Sequence, residues 1–411
     1  MRRKPVPPGW KRMALDHVAS VQTGIAKGKA LNGETVNVPY LRVANVQDGH
    51  IDLSVIKEIT LKPSEISRYS LRAGDVLFTE GGDFDKLGRG TVWNGEIEPC
   101  LHQNHVFAVR PNPEVLLPAF LAFQAASQYG RRFFQLSSKQ STNLASINST
   151  QLKGFPVLLP PLPEQRKIAE ILRTWDEAIE KLTALRTANL RRRIWMRSHL
   201  FTGQTRLPGH TGAWREVILG KVLTEYKLHG TGAEEVFSVS VHKGLINQIE
   251  HLGRSFAAAE TGHYNRVLPG DIVYTKSPTG EFPLGIIKQS KIAQEVIVSP
   301  LYGVFTPATR ALGVILDALF ESPIAVRNYL HPLVQKGAKN TIAITNRRFL
   351  EGKLRLPMDP AEQAAIAEVA ITTQAELACI DAEIDALTRQ KRGLMQKLLT
   401  GEWRVKVEAA P

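Results

Sequence analysis

The sequence predicts an α+β protein: two homologous α/β domains related by pseudo-two-fold symmetry and separated by a long antiparallel two-helix coiled-coil spacer. Three observations carry that prediction. Landmarks recur in one order at a near-constant offset, each copy opens with short strand-like runs, and each closes on a long heptad-like stretch. The expected boundaries are residues 1–155 for the first domain, 156–206 for the first long helix, 207–355 for the second domain, and 356–411 for the second long helix with a short tail.

The duplication is read from four landmarks. Trp10, Leu15 and Val18 reappear 204 residues later as Trp214, Leu219 and Val222. LRAGDVLFT, from Leu71 to Thr79, reappears as VLPGDIVYT, from Val267 to Thr275, with Gly74 matching Gly270 at an offset of 196. PEQRKIAE from Pro163 reappears as PAEQAAIAE from Pro360, so that Glu164 and Glu362 lie 198 residues apart. LFTG, ending at Gly203, matches LLTG, ending at Gly401, at the same offset of 198.

Within each copy, VPYLRVANV (Val38 to Val46) and VFSVSV (Val236 to Val241) are rich in β-branched and aromatic residues between turn formers, and read as strands. The Gly-Asp pairs at Gly74 and Gly270 fit tight turns into buried strands, with Asp75 and Asp271 as turn hydrogen-bond acceptors. A helix is expected around Pro118 to Phe134 and another around Leu312 to Tyr329, each followed by a polar loop.

The long helices follow a Pro then Glu-Gln entry. In the first, Ile168, Leu172, Trp175, Ile179, Leu182, Met196 and Leu200 form a seam interrupted by Arg186, Asn189 and Arg193. In the second, Leu377, Ile380, Ile384, Leu387, Leu394 and Leu398 do the same, with Lys391 intruding. The Gly of each Thr-Gly pair suits a helix C-cap. Each helix is acidic early and basic late, so antiparallel pairing brings opposite charges together, although the same order also complements each helix's own dipole. Such helices, about 55 Å long, form a ruler between two heads.

The chain has 411 residues, 43% hydrophobic and 22% charged, which is ordinary globular composition. No apolar run is long enough to span a membrane, the stretch from Leu116 to Ala126 being short and interrupted by Pro118 and Gln124. MRRKPVPPGWKR at the start lacks the apolar region of a secretory signal. Two cysteines, Cys100 and Cys379, are too few for a disulfide framework, and the expected location is the cytoplasm. The net charge of +13 favours an anionic partner. It divides as +6 over residues 1–155, +5 over 156–206, +4 over 207–361 and −2 over 362–411, so two similar blocks and one linker carry the excess.

Catalytic signatures fail one by one. GIAKGKA, from Gly24 to Ala30, is one residue short of a phosphate-binding loop and ends in Ala. Neither Pro7-Pro8 nor Pro160-Pro161 is followed by the aromatic that base-amino methyl transfer would require. The histidines show no metal-ligand spacing; His102 and His105 flank Gln103 and Asn104 in a strand-like segment. The two copies share no Ser and Lys at matching positions for a hydrolytic dyad. No catalytic residue and no metal are expected.

The polar loops suit binding. Lys139, Gln140, Thr142 and Asn143 lie in KQSTN; Lys336, Lys339 and Asn340 lie in its counterpart, KGAKNT. Lys can bond guanine, and Asn or Gln can bond adenine bidentately. Lys86 and Arg89 sit in GGDFDKLGRG, loosely matched by Lys276 in TKSPTG, while Arg131 and Arg132 could track phosphates. Each of these also reads as a solvated loop, turn or helix face.

Taken together, LLPPLPEQRKIAEIL (Leu158 to Leu172), its divergent copy RLPMDPAEQAAIAEVA (Arg355 to Ala370), the repeated GDVLFT and GDIVYT strands and the terminal LLTGEW resemble the specificity subunits of type I restriction-modification systems over nearly the whole chain. The resemblance implies two target-recognition domains, each reading half of a gapped site in double-stranded DNA. It also implies helices that dock methyltransferase subunits, two of them, and through these a restriction and translocase subunit. S-adenosylmethionine, ATP and Mg would belong to those partners, leaving this chain non-catalytic and without a cofactor of its own. The polar loops from Lys139 to Asn143 and at Lys339 and Asn340 occupy the segment where such domains face DNA. The second entry, PMDPAEQ, departs from PPLPEQ and the first seam is polar at three positions, which bears on the detailed pairing of the helices. The alternative reading is a duplicated, non-catalytic scaffold that assembles a protein complex without reading DNA.

Overall fold

A computed structural model describes residues 6–28, 33–82, 84, 87–140, 145–252, 261–336 and 342–407. The chain forms two compact units: residues 1–183 with 383–411, and residues 184–382. The first is therefore assembled from two segments remote in sequence.

Both units are built on one plan. In the first, an antiparallel four-stranded sheet has the order Ala19–Thr23, Val106–Pro111, Val76–Thr79, Gly90–Val92. In the second, the matching order is Leu223–Thr224, Gly303–Pro307, Ile272–Thr275, Ile286–Gln289. The Gly-Asp strands, Val76–Thr79 and Ile272–Thr275, are buried along their whole length, as a run with no polar alternation requires. Each unit also pairs its opening strand with the strand that leads to a long helix: Lys11–Ala14 with Pro156–Leu159, and Trp214–Ile218 with Lys353–Pro357.

The single helix expected in each head is two. Pro118–Ala126 and Gln128–Ser137 meet at Ser127, and Arg310–Phe320 and Pro323–Leu330 at Ser322. Each Ser is an N-cap whose hydroxyl accepts from the third residue on, Gly130 or Ala325, and this hydrogen bond favours a new helix over continuation.

The long helices span Leu162–His199 and Pro360–Leu398. All thirteen predicted seam residues face inward. Ile168, Leu172, Met196, Leu200, Leu377, Ile380 and Leu398 are buried, and Trp175, Ile179, Leu182, Ile384, Leu387 and Leu394 half-buried. The polar interruptions have partners. Asn189 is buried and its amide donates to Leu185 O at 3.2 Å; Arg193 turns to Glu321 at the end of a head helix, Nε to Oε2 at 3.0 Å. Lys391 pairs with Asp176 in the first unit. In the second, Arg186 pairs with Asp381 and Arg192 with Glu376, so rising numbers on one helix meet falling numbers on the other. The helices are antiparallel within each unit. Gly203 and Gly401 end them at φ of +71° and +69°, which an L side chain would strain.

A buried carboxylate ties each helix entry to its head. The Glu164 side chain is 3% exposed; Trp10 Nε1 donates to its Oε2 at 3.1 Å, and Arg404 donates to both oxygens at 2.7 and 2.9 Å. Glu362 is fully buried, with Trp214 Nε1 at 3.1 Å and Arg206 Nη2 at 2.6 Å. The adjacent glutamines satisfy main-chain groups: Gln165 accepts from Leu117 N at 2.9 Å and donates to Val115 O at 2.8 Å, and Gln363 donates to Pro357 O at 2.8 Å. The Pro and Glu-Gln entry thus supplies a charge for the clamp and an amide for the backbone. Arg404 and Arg206 each stand three residues beyond the Gly that ends the other long helix, so the clamp joins the start of one helix to the end of its partner.

Arg404→Ala or Arg206→Ala leaves a buried carboxylate without its guanidinium. Each is expected to lower stability by about 2–4 kcal/mol, read as a shift of the urea midpoint. An unchanged midpoint would show that the clamp contributes nothing to folding.

Candidate nucleic-acid interface

In the first unit, two polar segments that are far apart in sequence meet on one ribbon. Lys139–Gln140 pairs with Ala145–Ser146, and Ala145–Ser146 with Gly81–Gly82, at the start of GGDFDKLGRG. A Cβ on Gly81 would lie 3.2 Å from Ala145 O, which makes glycine the fitting residue at this close approach. The same loop returns beside the strand Val76–Thr79, where Thr79 N donates to Arg89 O at 3.2 Å. Gly88, at φ +67°, packs against the Phe134 ring, where a Cβ would come within 2.2 Å. That contact seats the Arg89 loop on the helix that carries Arg131 and Arg132.

A third segment borders these. Arg89 Nη1 donates to Gln47 Oε1 at 3.3 Å, Gly49 N to Gly90 O at 3.2 Å, and Arg131 pairs with Asp48. Arg131 also donates from Nε to Ala126 O at 2.9 Å, so its guanidinium fastens the helix to its surroundings. Arg132 and Lys139 are exposed. Glu80 follows the buried strand and pairs with His105. Glu80 N donates to His105 O at 2.9 Å and its carbonyl accepts from Ile147 N at 2.8 Å, which fixes the root of the ribbon.

The second unit repeats this only in part. Lys336, in Gln335–Lys336, pairs with Ile342 of Ile342–Ala343, a two-stranded hairpin. Lys276 is exposed at the end of the Ile272–Thr275 strand; desolvation lowers its ammonium pKa, and the Glu225 carboxylate acts the other way. Pro278 follows two residues later and removes a backbone donor, so a third ribbon strand is disfavoured. Lys86, Thr142, Asn143, Lys339 and Asn340 lie outside the described residues, and for Gln140 and Lys336 the backbone alone is described.

Comparison with known proteins finds one kind of relative. Residues 7–189 match the model of the type I restriction modification DNA specificity domain. The chain is 24% identical to the MjaX type I restriction enzyme specificity subunit of Methanocaldococcus jannaschii, over 98% of this chain and 95% of the relative. The chain is thus similar to type I restriction-modification specificity subunits along nearly its whole length. A second such subunit, StySPI of Salmonella potsdam, is 32% identical over 42% of this chain and 38% of its own length. The fold is shared with the crystal structure of a type I S subunit from M. genitalium, with a TM-score of 0.57, 14% identity and 97% of each chain covered.

The described residues of the ribbon hold no cluster that could bind a metal ion, and among all the described residues no three His, Cys, Asp or Glu are placed to hold one. Cys100 is buried, and its thiol is pushed up to about 12 by desolvation. His102 is buried with Nδ1 2.6 Å from Val106 O, and burial lowers its pKa. No helix of the described residues is long and apolar enough to cross a membrane.

The strands that deliver Glu80 and Lys276 differ at their roots. Asp75 accepts from Arg72 N at 2.8 Å, the expected turn bond, and its two oxygens receive Arg110 Nε at 2.8 Å and Nη2 at 2.7 Å. Asp271 makes the same turn bond with Leu268 N at 2.8 Å but meets Thr306 Oγ1 at 2.7 Å where the first copy has Arg110. Burial without a guanidinium raises the Asp271 pKa. A raised folded-state pKa binds extra protons in the native state, so stability falls as pH climbs from the unfolded value through the folded one. Asp271→Asn is therefore expected to gain stability relative to the parent as pH rises from about 4 to 7, measured by urea unfolding at stepped pH. A gap that stays flat would contradict this account of Asp271.

Proposed function

We infer that this chain is the DNA-reading, non-catalytic subunit of a type I restriction-modification complex, and that each head reads one half of a gapped double-stranded site. The observation that carries this reading is the ribbon of the first unit, where Gly81–Gly82, Lys139–Gln140 and the Arg89 loop converge. The family match and the net charge of +13 support it. Glycine lets backbones approach closely, while Lys, Arg and Gln offer bonds to phosphates and base edges.

In this reading the recognition domains are residues 1–155 and 207–355, and residues 156–206 and 356–411 form the helical ruler. The ruler docks two methyltransferase subunits, with a restriction and translocase subunit beyond them, in the cytoplasm. S-adenosylmethionine, ATP and Mg act on those partners.

Filter binding of duplex DNA to this chain with its methyltransferase subunit, across a salt series, separates this reading from a scaffold. Counterion release predicts log K falling linearly with log salt, and Lys139→Ala is expected to reduce the slope by about 1. A scaffold would retain no duplex at any salt.

A further inference from the structure

Glu80 and Lys276 occupy one position of the repeat. Each stands six residues after the Gly of its Gly-Asp turn and is the first residue to follow a fully buried strand. Their chemistry is opposite. The main chain beside Glu80 runs next to basic residues: Thr79 N donates to Arg89 O, and Lys139 pairs with Ser146, whose other neighbour is Gly81.

A carboxylate on a phosphate-binding surface weakens binding by like-charge repulsion. Its place there is explained when it accepts a hydrogen bond that phosphate cannot offer, from an exocyclic amino group on a base edge. Such an acceptor must be held in position. Glu80 is held twice: its main chain bonds His105 O and Ile147 N, and its side chain pairs with His105, leaving one carboxylate oxygen for a ligand. A lysine at the same place offers donors, and guanine presents acceptors at O6 and N7.

We propose that this position is base-reading and of opposite polarity in the two heads: Glu80 accepts from a cytosine amino group in one half-site, and Lys276 donates to guanine in the other. The proposal rests on the DNA-reading role above and adds the two residues that discriminate bases. The sequence alone nominates Lys276 but not Glu80, because an acidic residue in a basic loop reads as a solvated charge.

The test is base-resolved mapping of methylated sites made by the complex with its methyltransferase subunit, for the parent chain, Glu80→Gln and Lys276→Met. Glu80→Gln keeps the shape and an oxygen for His105 but loses the charge; Lys276→Met keeps the stem. Each variant is expected to relax one base pair of one half-site by about tenfold or more, with the other half-site unchanged. If the parent gives a gapped motif and both variants give the same motif, or weaken all sequences equally, position 80/276 does not read bases although the chain reads DNA. If the parent gives no motif, the DNA-reading role fails and the proposal fails with it. The two variants lie in different heads, so loss of folding in one leaves the other as an independent test.

Discussion

A carboxylate cannot be buried alone, and this chain buries one at the entry of each long helix. Glu164 is satisfied by Trp10 and Arg404, Glu362 by Trp214 and Arg206. An unpaired charge in such a site would cost several kcal/mol. Folding of the first unit therefore brings together residues at the start, middle and end of the chain. The bidentate fork also fixes direction, because the Arg comes from beyond the end of one helix and the Glu from the start of the other. Antiparallel pairing is the arrangement that satisfies both carboxylates.

The rest follows from that constraint. With the ends clamped, the seams bury Ile168, Leu172 and Leu398 in one core and Met196, Leu200 and Ile366 in the other. Asp176 with Lys391, and Arg186 with Asp381, set the register between the ends, each pair being exposed enough to contribute little energy. The opening strand of each head begins at or beside the clamp tryptophan, so the clamp and the sheets share one framework. Buried strands then carry Glu80 and Lys276 out to the surfaces proposed to read DNA. The heads differ beside those strands, as in Arg110 against Thr306, and in the ribbon, which pairs three strands in the first unit and two in the second.

Much of this was legible because duplication and periodicity are local or repetitive signals. The seam was visible in the spacing of Leu377, Ile380, Ile384 and Leu387, and the antiparallel sense in the order of charges. The clamp arginines were not read, although Arg206 and Arg404 share the offset of 198 with the glutamates they bind. Their contacts close over 156 and 240 residues, and in a basic chain one more Arg carries no local signature. The helix breaks at Ser127 and Ser322 were available in the capping residues but were overridden by apolar runs on both sides. The ribbon was hidden for another reason: its strands are two residues long, too short to show alternation. Lys139 and Arg89 could be nominated from composition, yet their convergence is a tertiary fact. Glu80, Gln47 and Asp48 escaped notice because pairing, not residue type, gives them their places.

The central claim, that this chain supplies sequence recognition to a methyltransferase, is tested most directly by mapping modified adenines in cells with and without the gene while the methyltransferase subunit is present. The account predicts that one gapped motif loses methylation when the gene is absent. An unchanged set of modified motifs, with the partner subunit expressed and bound to this chain, would contradict it and leave the scaffold.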